Sequence, residues 1–326
     1  MRAFILTGSL VCVAALAACS SNDRSPFTIE PKADSGAADV ATTADGSTAR
    51  DAGVTPIPIR DSGMVGNCSE AAQLVYVLSD SNELYSFRPN LRQFTRIGPL
   101  RCQTNMQPNS MAIDRNAVAW VNYVASGLGD TAGAIYQVNT TDASCRAAPT
   151  VRLPPGWFRL GMGFSTASAD DTSETLFIAA TVDPLLGGSA GLGRVDPMSG
   201  QVVPVGTFTG ALRGESGELT GTGDGRLYGF FTTTPVQVAQ IDKTSGAITN
   251  ARPLPGVETP QAWAFSFWGG DFYLYTAPSA LTPGRTSNVT RYRPSDGSID
   301  TAYMTNVGFR IVGAGVSTCA PITPPP

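Results

Sequence analysis

From Leu74 onward, apolar and polar positions alternate in short runs that break at Asp, Asn, Ser, Gly and Pro. Alternation of period two predicts strands, and the breaks predict tight turns. One unit of this kind recurs five times: "LYSFRPNLRQF" from Leu84, "IYQVNTTDASC" from Ile135, "LGRVDPMSGQV" from Leu192, "VAQIDKTSGAI" from Val238 and "VTRYRPSDGSI" from Val289. The copies start about 51, 57, 46 and 51 residues apart, a period that marks a repeat architecture. Each reads as a strand, a polar turn and the start of another strand. Just upstream of the copies lie "QLVYVLS", "AVAWVNY", "TLFIAAT", "RLYGFFT" and "DFYLYTA". Such β-branched and aromatic runs suit strands covered on both faces. Small-residue runs precede the last four of them: "SMAID" from Ser110, "GMGFS" from Gly161, "ELTGT" from Glu218 and "AWAFS" from Ala262.

Four strands per unit, five times over, predict an all-β fold: a five-bladed β-propeller with four-stranded blades. The small-residue runs are its inner strands, crowded around the axis. The hairpins resemble propeller repeats of the Tyr-x-Ile-Asp-x-x-Ser-Gly style. That resemblance spans the folded domain and implies architecture, not activity. The turn aspartate of one copy, Asp196, is Asn139 in another and Arg88 or Arg293 in others, so chemistry at each copy is not required. The first unit has no inner strand before it. "VGAGVS" (Val312 to Ser317) supplies one from the C-terminal end, closing the ring without a free edge. The propeller is placed at 67–320, with a Pro-rich tail at 321–326.

Ring closure bears on the cysteines. Cys68, Cys102, Cys145 and Cys319 remain once Cys12 and Cys19 are set aside with the N-terminus. Four cysteines allow three pairings. Cys68 precedes the second strand of the first blade and Cys319 ends its inner strand. Antiparallel neighbours bring these ends together, which predicts Cys68–Cys319 and leaves Cys102–Cys145.

Residues 1–18 begin Met-Arg and continue "AFILTGSLVCVAALAA", too short and too poorly flanked to be a spanning helix. Leu16-Ala17-Ala18-Cys19 resembles the lipobox of bacterial lipoproteins. The resemblance implies a signal peptide at 1–18, lipid on Cys19 as the membrane partner, and a place in the cell envelope. Ser20 after the Cys implies the outer membrane. Residues 19–66 are Ala, Asp, Ser, Thr, Gly and Pro with few large apolar side chains. They bury too little surface to offset ordering entropy and are expected to form a disordered tether. Its style resembles tethers of myxobacterial lipoproteins.

Composition narrows the chemistry. Among the 326 residues there is no His, which removes Ser-His-Asp and Cys-His catalysis, His-ligated zinc and proximal-His haem. A net charge of −4 offers no basic field for nucleic acid. No cofactor and no metal site is expected, since the cysteines lack CxxC spacing and the acidic loop "SADDTSE" (Asp170, Asp171, Glu174) lacks EF-hand spacing. That loop reads as a solvated turn. A monomer is expected.

The loops entering the inner strands surround one mouth of the axial channel. Three carry an arginine, Arg159, Arg213 and Arg310, which together would hold an anion or a sugar acid. The alternative is local pairing of each. Trp157, after "LPPG", is a candidate for stacking on a sugar or anchoring a partner. Trp263, Phe265 and Phe267 share one strand face and read as inter-blade core. Asp114 and Glu218 are the carboxylate pair that an axial glycosidase would need. The expected function is a non-enzymatic binding or scaffolding module for a glycan or protein. The alternative is a carboxylate-dependent carbohydrate-active enzyme.

Overall fold

In the computed structural model of the chain, residues 68–127, 131–181, 188–196, 198–279 and 284–325 are described. The expected leader, Cys19 and the whole of the tether lie outside them. Blade 1 contains β1 (Val75–Ser79), β2 (Glu83–Arg88) and β3 (Gln93–Pro99). Blade 2 follows with β4 (Gln107–Ile113), β5 (Val118–Val124), β6 (Gly133–Asn139) and β7 (Val151–Arg152). Blade 3 has β8 (Leu160–Thr166), β9 (Glu174–Ala180), β10 (Leu192–Val195) and β11 (Val202–Gly206). Blade 4 has β12 (Gly217–Gly221), β13 (Leu227–Phe231), β14 (Gln237–Ile241) and β15 (Ile248–Pro253). Blade 5 has β16 (Ala262–Trp268), β17 (Asp271–Ala277), β18 (Asn288–Arg293) and β19 (Ser298–Met304), and β20 (Ile311–Val316) returns to blade 1. The result is five antiparallel sheets of four strands, a five-bladed propeller.

Period-two alternation explains why the second strands are buried throughout. In β1, Val75 and Val77 enter the core shared with blade 5, while Tyr76 and Leu78 enter the core shared with blade 2. In β13, Phe230 packs toward blade 5 and Phe231 toward blade 3. Each sheet is thus sandwiched between its neighbours, and neither face can be polar.

The recurring hairpin is a backbone device. Asp242 Oδ1 accepts from the amides of Thr244 and Ser245, both at 2.9 Å. Gly246 then takes φ +76, a left-handed conformation that glycine adopts at little cost. The Thr244 and Ser245 hydroxyls donate to the same oxygen at 2.6 and 2.9 Å, and these bonds together with the amides hold the Asp242 carboxyl down to about 2. Asp196 bonds Met198 and Ser199 in the same way. The aspartate is consumed by the turn.

The ring closes as the sequence predicts. β20 pairs antiparallel with β1, Val316 opposite Val75 and Ala314 opposite Val77. Ser317 Oγ donates to the Ala72 carbonyl at 2.6 Å. Cys68–Cys319 and Cys102–Cys145 are both disulfides, with Cα separations of 5.8 and 4.9 Å.

Candidate functional site

The N-terminal ends of the inner strands meet at one mouth of the axis, where a cavity of about 310 Å³ opens. Its wall includes Gln107 and Asn109 at the start of β4, Leu160 of β8, Glu218 of β12 and Trp263 of β16. Thr181 joins them from the end of β9, which runs antiparallel to β8 and so finishes at the same mouth.

Arg159 lines this cavity. Its side chain is exposed to the cavity, and among the described residues its guanidinium makes no hydrogen bond or ion pair. The surrounding protein still strips enough water from it to lower its pKa. Its backbone is firmly held. Thr181 donates its amide to the Arg159 carbonyl at 3.0 Å. On either side, buried Asn122 donates to the Phe158 carbonyl at 3.2 Å and accepts from the Leu160 amide at 3.2 Å. Asn109, at a bulge in the pairing of β4 with β5, bonds both Asn122 Oδ1 (2.9 Å) and the Leu160 carbonyl (2.8 Å). Two asparagines of blade 2 therefore fix where blade 3 presents its arginine. A charged group carried on rigid backbone with no partner is preorganised for a ligand.

Glu218 is 3% exposed. Its Oε1 accepts from Ser110 Oγ and from the Met162 amide, the latter at 3.4 Å. Oε2 makes no bond among the described residues. Desolvation outweighs both hydrogen bonds and raises the carboxyl well above its ordinary range, favouring the protonated form.

The other sequence candidates lie elsewhere. Arg213 is exposed and outside the cavity lining. Arg310 donates to the Pro278 carbonyl and sits 3.9 Å from Asp80, a local pairing. Trp157 is 6% exposed, and its ring lies over Gly193 within the core between blades 2 and 3. It is a packing residue, because a buried ring offers no face to a sugar. Asp114 follows the far end of β4, four residues beyond Ser110 and so roughly 13 Å along the strand. Its oxygens accept from the Asn116 and Val118 amides and from Trp120 Nε1. Asp114 therefore belongs to the opposite mouth and does not share the cavity with Glu218. Glu174 also departs from the solvated-turn reading. It accepts from the Arg115 amide at 2.7 Å and Thr318 Oγ1 at 2.9 Å, and burial lifts its carboxyl to about 7.

The two raised glutamates set the sign of a pH dependence. An unperturbed glutamate releases its proton near 4.5, whereas burial lifts Glu174 to about 7 and raises Glu218 well above its ordinary value. The unfolded chain then binds fewer protons, so stability falls as pH rises through this window. With no histidine in the chain, no imidazole titrates across the same range. The melting temperature is expected to decline from pH 4.5 to 8. Glu218→Gln, which keeps the acceptor oxygen, is expected to make that decline shallower. A melting temperature that rises across the window would contradict this assignment.

Sequence reasoning missed Gln107, Asn109 and Trp263 as wall residues. Each lies within the first three residues of an inner strand, at the mouth end, and that placement was the available signal.

The chain matches no protein-family model, and no curated protein matches it. Similar solved structures include a Bacteroides caccae protein of unknown function, 11% identical with a TM-score of 0.40, covering 75% of this chain and 98% of that one. Another is the calcium-binding protein regucalcin from Agrobacterium tumefaciens, 14% identical with a TM-score of 0.40, covering 66% and 68%. At such scores neither likeness bears on the site, and the propeller assignment rests on the strand order itself.

Proposed function

We propose that this propeller is a binding module of the cell envelope that holds its ligand in the axial mouth without transforming it. The observation that carries this reading is Arg159: a guanidinium on clamped backbone, facing a cavity, with no protein partner among the described residues. A structural arginine is normally paired, as Arg310 is. The concave, partly polar wall favours a glycan over a flat protein surface. The enzyme alternative is less well supported, because Glu218 shares its cavity with no second carboxylate among the described residues. In this proposal lipid on Cys19 anchors the chain, probing the outer-membrane surface or periplasm from its tether; Cys19 lies outside the described residues. Incubated on a glycan array, the protein is expected to retain a defined set of sugars, and Arg159→Gln is expected to lose them at unchanged melting temperature. Retention of the same set by Arg159→Gln would place binding elsewhere.

A further inference from the structure

We propose that the mouth is built for a uronic acid residue, its carboxylate gripped by Arg159 and its ring and hydroxyls met by Trp263 and the amide side chains. This rests on the binding-module reading and names its ligand class.

Charge comes first. Among the described residues lining the cavity, Arg159 is the one cation. A partly desolvated guanidinium recovers its lost hydration best from an anion, and its planar fork matches a carboxylate bidentately. A phosphate dianion calls for more than one positive group, and the described wall residues add none. A single negative charge is therefore the match.

The acid in the same wall fits this reading. An ionised Glu218 would repel an anionic ligand. Glu218 lines the cavity almost wholly buried, with Oε1 taken by Ser110 and the Met162 amide, and desolvation pushes its carboxyl toward the neutral form. In that state it donates to a ligand oxygen without opposing the charge that Arg159 attracts.

The rest of the wall suits a sugar ring. Gln107 and Gln261 line the cavity, and primary amides both donate and accept, as vicinal hydroxyls do. Trp263 is half-buried against the blade 4–5 core and lines the cavity as well, so an apolar face is available beside the polar groups. A cavity of about 310 Å³ lies at the small end of ligand sites, room for one residue at a chain end or branch and not for an enclosed polymer.

Calorimetry on the full chain tests this with trimers of glucuronate, galacturonate and mannuronate, each beside its methyl ester, and with a tripeptide bearing a free carboxyl end. At least one uronate trimer is expected to bind, and its ester about tenfold to hundredfold more weakly, the worth of a charge-assisted hydrogen-bonded pair. Arg159→Gln is expected to erase the difference between acid and ester, and Arg159→Lys to keep part of it. The exposed side chain makes no bond among the described residues, so both variants should melt as the parent does. Equal binding of acid and ester, or array sugars that are all neutral, would overturn the uronate inference while leaving a glycan-binding mouth. Binding of the tripeptide in place of every trimer would overturn the sugar assignment. Failure of every trimer, the tripeptide and the array alike would remove the binding-module reading itself.

Discussion

Replacing Cys68 and Cys319 together by serine is expected to cost the domain about 5 kcal/mol, read as a lower midpoint in urea or heat. The bridge spans 251 residues, nearly the whole propeller. Loop-closure entropy grows with the logarithm of that span, which gives about 5 kcal/mol on the chain-entropy model. Location adds a second reason. β20 follows every other strand in the chain yet pairs with the first, so this pairing is the most non-local in the fold. Holding its end beside Cys68 keeps it docked when the chain opens locally. Removing Cys102–Cys145, which spans 43 residues, is expected to cost about 4 kcal/mol on the same model and to leave the closure intact. A loss below about 1 kcal/mol for the Cys68–Cys319 pair would mean that strand pairing alone closes the ring.

Gly161→Ala is expected to destabilise by about 3 kcal/mol or more, with Gly163→Ala nearer 1 kcal/mol. Adjacent inner strands approach backbone to backbone at the axis. A Cβ on Gly161 would lie 2.1 Å from the Gly217 carbonyl oxygen and 2.6 Å from the Glu218 Cα. Main chain cannot rotate away as a side chain can, so blades 3 and 4 would have to part. At Gly163 the nearest atoms are 3.1 Å away, a crowding that small shifts relieve. Because Glu218 sits in the Gly161 contact, that substitution should also deform the mouth. Equal small costs at both glycines would show the inner strands to be loosely packed.

These contacts show what the sequence made legible. The small-residue runs announced inner strands because only small side chains fit there, and Gly161, Gly221 and Gly315 all face neighbouring backbone. Strand order, ring closure and both disulfides followed from the repeat and from antiparallel geometry. The mouth was less legible. A loop position tells which end of the axis a residue is near, but not whether its side chain turns inward. Arg159 and Arg310 each directly precede an inner strand, yet one faces the cavity and the other bonds Pro278. Trp157 looked like an exposed loop residue because "LPPG" precedes it, but the absent side chain of Gly193, over 30 residues away, makes room for its ring. Asp114 directly follows inner strand β4 and Glu218 lies near the start of inner strand β12, so register along the strands alone separates them to opposite ends.

The central claim is that the mouth binds a glycan and leaves it unchanged. Its most direct test is the mass of each retained glycan after prolonged incubation with the protein. Unaltered masses, together with loss of retention in Arg159→Gln, are predicted. Cleavage products that vanish in Glu218→Gln would contradict it and make Glu218 the acid of an enzyme.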